Sequence, residues 1–169
     1  MLAFEESNGY MAKPFVRDKD AIQIVPLIIK YKNLLYANNI TLKDTLDDIY
    51  RTIGHYHSIN LSPVFEGAEG QHKIEEIINS FRNKTIHQVC GLDVKAIEDY
   101  QLGTIENIES GEKDATYLPN TNLIRLIFDE GFIAIRPSGT EPKIKIYFSL
   151  NVNNIENLIK EFKETYIEY

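Results

Sequence analysis

Apolar positions recur at two different periods along this chain, and the change of period divides it into helical and extended stretches. Leu42, Leu46, Ile49, Tyr50 and Ile53 fall three or four apart and predict an amphipathic helix. Thr41 stands before it with Asp44 three residues on, the pattern of a capping box, and Gly54 stops it. Ile74, Ile77, Ile78 and Phe81 form a second helical stripe, and Ile155, Leu158, Ile159, Phe162 and Tyr166 a third. An earlier apolar segment runs from the charged Arg17-Asp18-Lys19-Asp20 to about Ala37, with Asp18 or Asp20 as its N-cap and Asn38-Asn39 at its end. Pro26 lies inside that segment, so the helix either begins near Pro26 or kinks there.

Residues 123–128, 132–136 and 144–150 read as strands, and residues 2–4 as the end of another before a polar loop at 5–10. Asp129-Glu130-Gly131 predicts a three-residue hairpin loop with glycine where φ > 0 is wanted. Residues 55–65 read as a loop or an extended strand containing Pro63, and the acidic stretch 99–115 as a loop. Gly67 and Gly70 mark the expected domain boundary. Beyond them the order helix, strands, helix predicts an α+β domain, a mostly antiparallel sheet of about four strands with two helices burying their stripes on one face. Residues 1–66 hold helices but little sheet and read as the partial, mainly helical tail of an α/β domain. The expected domains are therefore 1–66 and 67–169, and the chain reads as a piece of a longer protein. The first part would expose apolar stripes, so a dimer, domain-swapped or formed in a crystal, is an expectation.

Composition narrows the function. The 169 residues are 43% hydrophobic and 25% charged, as in a globular protein. A net charge of −7 argues against a general nucleic-acid binder. The longest apolar run is short and broken by Gln23, so no membrane span is expected. Cys90 is the only cysteine, which excludes an intrachain disulfide, suits a reducing cytoplasm, and reads as a small buried hydrophobe. Asn39, Asn60 and Asn83 head three glycosylation sequons that read as chance matches without a secretory signal. His55-x-His57 has the form of a metal pair, but no carboxylate or cysteine stands at ligand spacing.

One string carries chemistry: Arg136-Pro137-Ser138-Gly139-Thr140-Glu141-Pro142-Lys143, between two strands. Its bland reading is an ordinary hairpin turn. As a phosphate cradle, Gly139 could take φ > 0 so that backbone N–H groups converge. Ser138 and Thr140 offer hydroxyls, and Arg136 can fork onto two phosphate oxygens. Lys143 and Lys145 add local positive charge within an acidic chain.

The full string resembles the phosphate-binding loop of the α-D-phosphohexomutase family, the phosphoglucomutases and phosphomannomutases. Phe4-Glu5-Glu6-Ser7-Asn8-Gly9-Tyr10 resembles that family's sugar-binding loop, which places contacts to sugar hydroxyls on Glu5 and Ser7. Val16-Arg17-Asp18-Lys19-Asp20-Ala21 and, loosely, Tyr117-Leu118-Pro119-Asn120-Thr121-Asn122 are similar to members of the same family.

The resemblance implies the end of the family's third domain followed by its TBP-like C-terminal domain. Substrate-binding residues would be Glu5, Ser7, Arg136, Ser138, Gly139, Thr140 and Lys143, with no catalytic and no metal-binding residue in this chain. It implies an isomerase that moves a phosphoryl group between sugar 1-phosphate and 6-phosphate through a bisphosphorylated sugar. A phosphoserine and a Mg²⁺ held by an Asp-rich loop would belong to upstream domains, glucose 1,6-bisphosphate would be the activator, and this part alone would be inactive. The implied partners are a phosphorylated sugar and the remaining domains of the same enzyme, in the cytoplasm. Phosphomannomutase or phosphopentomutase specificity, a non-catalytic phosphosugar-binding module, and a purely structural domain stay open as alternatives.

Overall fold

The computed structural model of the chain describes residues 2–5, 9–15, 18–83, 85–139 and 141–168. It separates into two compact units, Met1–Gly54 and His55–Tyr169. In the first, β1 (Ala3–Glu5) and β2 (Gly9–Met11) pair antiparallel, followed by α1 (Ile24–Tyr36) and α2 (Leu42–Ile53). Neither Asp18 nor Asp20 is the cap of α1. Asp20 accepts from the N–H groups of Ile22 and Gln23 at 2.7 and 3.0 Å, closing the turn that leads in, and the helix begins at Ile24. Pro26 thus falls in the first turn, where its missing N–H breaks no helical bond. The capping box of α2 is present: Thr41 Oγ1 accepts from Asp44 N–H at 3.0 Å, and the Asp44 carboxylate accepts from Thr41 N–H at 2.8 Å. No residue of either helix is buried; Val25, Ile29, Leu34, Leu46 and Ile49 are all exposed.

The second unit holds β3 (His57–Leu61), α3 (Gly67–Arg82), β4 (Gln88–Val89), β5 (Leu92–Asp93), β6 (Ala96–Asp99), β7 (Thr104–Asn107), β8 (Lys113–Ala115), β9 (Ile124–Phe128), β10 (Gly131–Pro137), β11 (Ile144–Leu150) and α4 (Ile155–Tyr166). Seven of its strands form one antiparallel sheet in the order β3-β11-β10-β9-β6-β7-β8, and β4 and β5 pair separately. The fold is α+β as expected, but the sheet is wider than the four strands predicted. The acidic stretch read as a loop supplies β7 and β8. These are short outer strands whose ladder is lined by the Lys113–Glu106 ion pair at 3.1 Å, and charge on an edge strand looks like loop in a sequence. The compact units divide before the expected 66/67 break, because His57–Leu61 hydrogen-bonds along β11. Gly67 and Gly70 lie inside α3.

Alternation decides the core. Ile124, Leu126, Phe128, Ile133, Ile135, Ile144, Ile146, Phe148 and Leu150 turn one sheet face inward, against Ile74, Ile77, Ile78 and Phe81 of α3 and Ile155, Leu158 and Phe162 of α4. Phe162 meets Phe148 edge-on at 5.2 Å and lies nearly parallel to Phe81 at 6.0 Å. Each such side chain contributes about 1.5–3 kcal/mol on burial. Between β9 and β10 the link is two residues, Asp129-Glu130, and Gly131 opens β10 with φ +137°. A Cβ at Gly131 would lie 2.0 Å from the carbonyl oxygen of Ser149, so the close strand approach requires glycine. Cys90 is not fully buried: with φ 47° it forms, together with Gly91, the turn between β4 and β5, half-buried against the core.

Candidate functional site: the 136–143 turn

The turn joins β10 to β11, the most regular hairpin of the sheet, paired from Gly131↔Leu150 to Pro137↔Ile144. That register fixes which side chains share a face. Ile133 and Ile135 point into the core, so Phe132, Ala134 and Arg136 stand on the opposite face beside Ser149, Tyr147 and Lys145. Arg136 is exposed and directly opposite Lys145. Like charges facing one another across a ladder destabilise it. Among the described residues, no carboxylate lies within ion-pair distance of Arg136 or Lys145. The end of the hairpin therefore sets two cations face to face.

The turn is braced from within and from one side. Ser138 N–H donates to Lys143 C=O at 2.9 Å, and Lys143 N–H donates to Glu141 C=O at 2.7 Å. Glu141 N–H reaches Ser138 Oγ at 3.3 Å. The strand-like stretch after β3 lies along the far limb: Phe65 N–H donates to Pro142 C=O at 2.8 Å, Ile144 N–H to Pro63 C=O at 3.2 Å, and Val64 bridges Lys143. The Lys143 ammonium pairs with the Glu141 carboxylate. That hydrogen-bonded charge, with Lys145 further off, holds the Glu141 carboxyl below the usual glutamate value.

Three features differ from the sequence expectation. Gly139 does not use the left-handed region, and a Cβ there would meet nothing within 4 Å. The N–H groups of Ser138, Glu141 and Lys143 do not converge on a point, because each already has an acceptor inside the turn. Among the described residues, the Gly139 N–H has none. Glu141 is drawn into the site, which the bare string did not signal beyond its two-residue spacing from Lys143. Thr140 and Ser7 lie outside the described residues. Glu5 ends β1, exposed, in the first unit, whereas the turn belongs to the second.

Two cavities of the second unit, 520 and 570 Å³, are lined by other residues, Tyr166 and His87 in one, Tyr100 and Tyr117 in the other. Among the described residues no group of three His, Cys, Asp or Glu side chains could hold a metal ion, and no helix is long and apolar enough to cross a membrane. His55 and His57 have ring centroids 4.5 Å apart without such a third ligand.

Residues 93–149, which run from β5 through the turn to the end of β11, match the model of the phosphoglucomutase/phosphomannomutase C-terminal domain. Over 99% of its length the chain is 55% identical to a phosphoglucomutase of Staphylococcus saprophyticus, covering 30% of that protein. Over 95% it is 48% identical to a phosphoglucomutase of Staphylococcus aureus, covering 29% of it. The chain thus spans under a third of the length of these relatives. The crystal structure of the exocytosis-sensitive phosphoprotein pp63/parafusin of Paramecium, in its open form, shares the fold, with a TM-score of 0.63 at 21% identity over 96% of this chain and 29% of that one.

Proposed function

We propose that the chain is the C-terminal part of a phosphoglucomutase, a reading supported by the match of residues 93–149 to the phosphoglucomutase/phosphomannomutase C-terminal domain. The enzyme interconverts glucose 1-phosphate and glucose 6-phosphate through a bisphosphorylated sugar. This part supplies no reacting group. Its turn grips the phosphate that is not being transferred: Arg136 forks onto two oxygens, Ser138 and Thr140 offer hydroxyls, Gly139 offers its N–H, and Lys143 adds charge. Glu5 and Ser7 read the sugar hydroxyls. Anchoring of this kind places the other end of the sugar for reaction, and positioning supplies much of the rate in phosphoryl transfer.

The observation that carries this reading is the pair of cations, Arg136 directly opposite Lys145, at the end of a hairpin braced on one side. An arrangement that costs stability in the empty protein is one that an anion would relieve. Further domains of the enzyme enclose the substrate, and the exposed apolar faces of α1 and α2 are met by those domains too. The family resemblance places Mg²⁺ and the phosphoserine in those domains. A cytoplasmic location and activation by glucose 1,6-bisphosphate complete the proposal.

Amide NMR of the chain titrated with glucose 6-phosphate tests it. Saturable shifts at Ser138 and Gly139, lost in Arg136→Ala, are the expected result. Shifts that survive Arg136→Ala would sink the assignment.

A further inference from the structure

Glu141 sits badly in a phosphate site. It brings a carboxylate to the turn that is meant to collect an anion, and it occupies the cation next to it. The backbone leaves this pairing little choice. Pro142 fixes the chain between the two residues, Pro142 C=O is held by Phe65 N–H, and Lys143 N–H closes back onto Glu141 C=O. The two side chains differ in freedom. That of Lys143 is 25% exposed and rises from backbone bridged to Val64, whereas that of Glu141 is 59% exposed. A rotation of Glu141 alone would uncover the ammonium without moving Lys143.

Resting on the phosphate-site reading above, we propose that Glu141 is an internal competitor for the phosphate, holding Lys143 while the site is empty and swinging away when a phosphate arrives. The carboxylate takes the partner that an incoming phosphate would also seek. It limits the self-repulsion of Lys143 and Lys145 in the free protein, and it weakens binding by the work of separating the pair and by its own charge beside a phosphate. Glu141 thereby sets affinity low enough for release, a useful property in an enzyme whose intermediate must turn over between its two phosphates. The Lys143 and Lys145 fields that lower the Glu141 carboxyl pKa agree with a carboxylate drawn towards the site.

The test is a titration of the 169-residue chain with inorganic phosphate at low ionic strength, read from the Gly139 amide, for wild type, Glu141→Gln, Lys143→Ala and the double variant. For an exposed pair and a second nearby negative charge, Glu141→Gln is expected to bind about three- to tenfold more tightly, and the gain is expected to vanish in the Lys143→Ala background. If wild type binds and Glu141→Gln binds equally or more weakly, Glu141 orients Lys143 instead, and the inference is overturned with the phosphate site intact. A gain that persists in Lys143→Ala also overturns it, since the effect is then general charge repulsion. If neither wild type nor Glu141→Gln binds, the phosphate reading fails and takes the inference with it. Binding by Glu141→Gln alone supports both.

Discussion

Asp99 is the buried charged residue among those described, 5% exposed, and its replacement by alanine tests the account of how the sheet is tied to α3. Its carboxylate accepts from Arg82 Nε at 2.7 Å and from the N–H groups of Gln101 and Leu102 at 2.9 and 3.1 Å. Arg82 also donates through Nη2 to Asn122 Oδ1 at 2.9 Å. One carboxylate thus joins the last turn of α3, the turn after β6 and, through Arg82, the approach to β9. In Asp99→Ala the guanidinium, whose side chain is 12% exposed, loses its counter-charge. Breaking a buried pair from one side costs about 3–5 kcal/mol. The two orphaned N–H groups belong to residues near the surface, so water takes part of their roughly 1–3 kcal/mol each. The expected loss is about 4–6 kcal/mol, a large share of the roughly 5–15 kcal/mol that holds a domain folded. Asp99→Asn keeps an oxygen for both N–H groups and should lose less, about 2 kcal/mol. Urea unfolding followed by far-ultraviolet circular dichroism measures this as a lower midpoint at unchanged slope. An Asp99→Ala protein within about 1 kcal/mol of wild type would refute the reasoning.

The other predictions follow from single positions. Gly131→Ala places a Cβ 2.0 Å from the Ser149 carbonyl oxygen at φ +137°, so it should cost about 3 kcal/mol or more; a melting temperature unchanged from wild type would contradict that geometry. Gly139→Ala meets nothing within 4 Å and needs no left-handed backbone, so it should leave the melting temperature unchanged; a fall of several degrees would contradict that geometry. Burial, and then the Glu161 charge, push the Cys90 thiol from 9.0 up to about 11. The folded form keeps its proton longer than the unfolded form, so stability should fall as pH rises from 9 towards 11; Cys90→Ser should flatten that fall, and an equal slope in both proteins would count against the assignment.

Local signals in the sequence were strong where neighbours in the chain do the bonding. Thr41 and Asp44 cap one another across three residues, so the start of α2 is written in the sequence itself. The stripes of α3 and α4 and the alternation of β9, β10 and β11 mark the inward faces because burial of one face imposes its period on the chain. The 136–143 string, too, was legible as a turn between two strands before any coordinates. Less legible were β7 and β8, whose charge reads as loop, and Asp99, which looks like any acidic surface residue until Arg82 is brought to it. Gly139 invited a left-handed turn because glycine permits one, but permission is not requirement.

What the sequence by itself determined was therefore the short-range content: which stretches are helical or extended and which faces are apolar. Only the tertiary structure decided the strand order, with β3 beside β11 and β6 to β8 beyond β9, and hence a unit that begins at His55. It alone set Arg136 opposite Lys145 and braced the turn with the 62–65 stretch. The reason is physical. Helix caps and hydrophobic periods are fixed by interactions between near neighbours, whereas strand order depends on pairings across long loops whose closure cost varies only weakly with length. Competing pairings of that kind differ little in local sequence and are separated only when the whole core is packed.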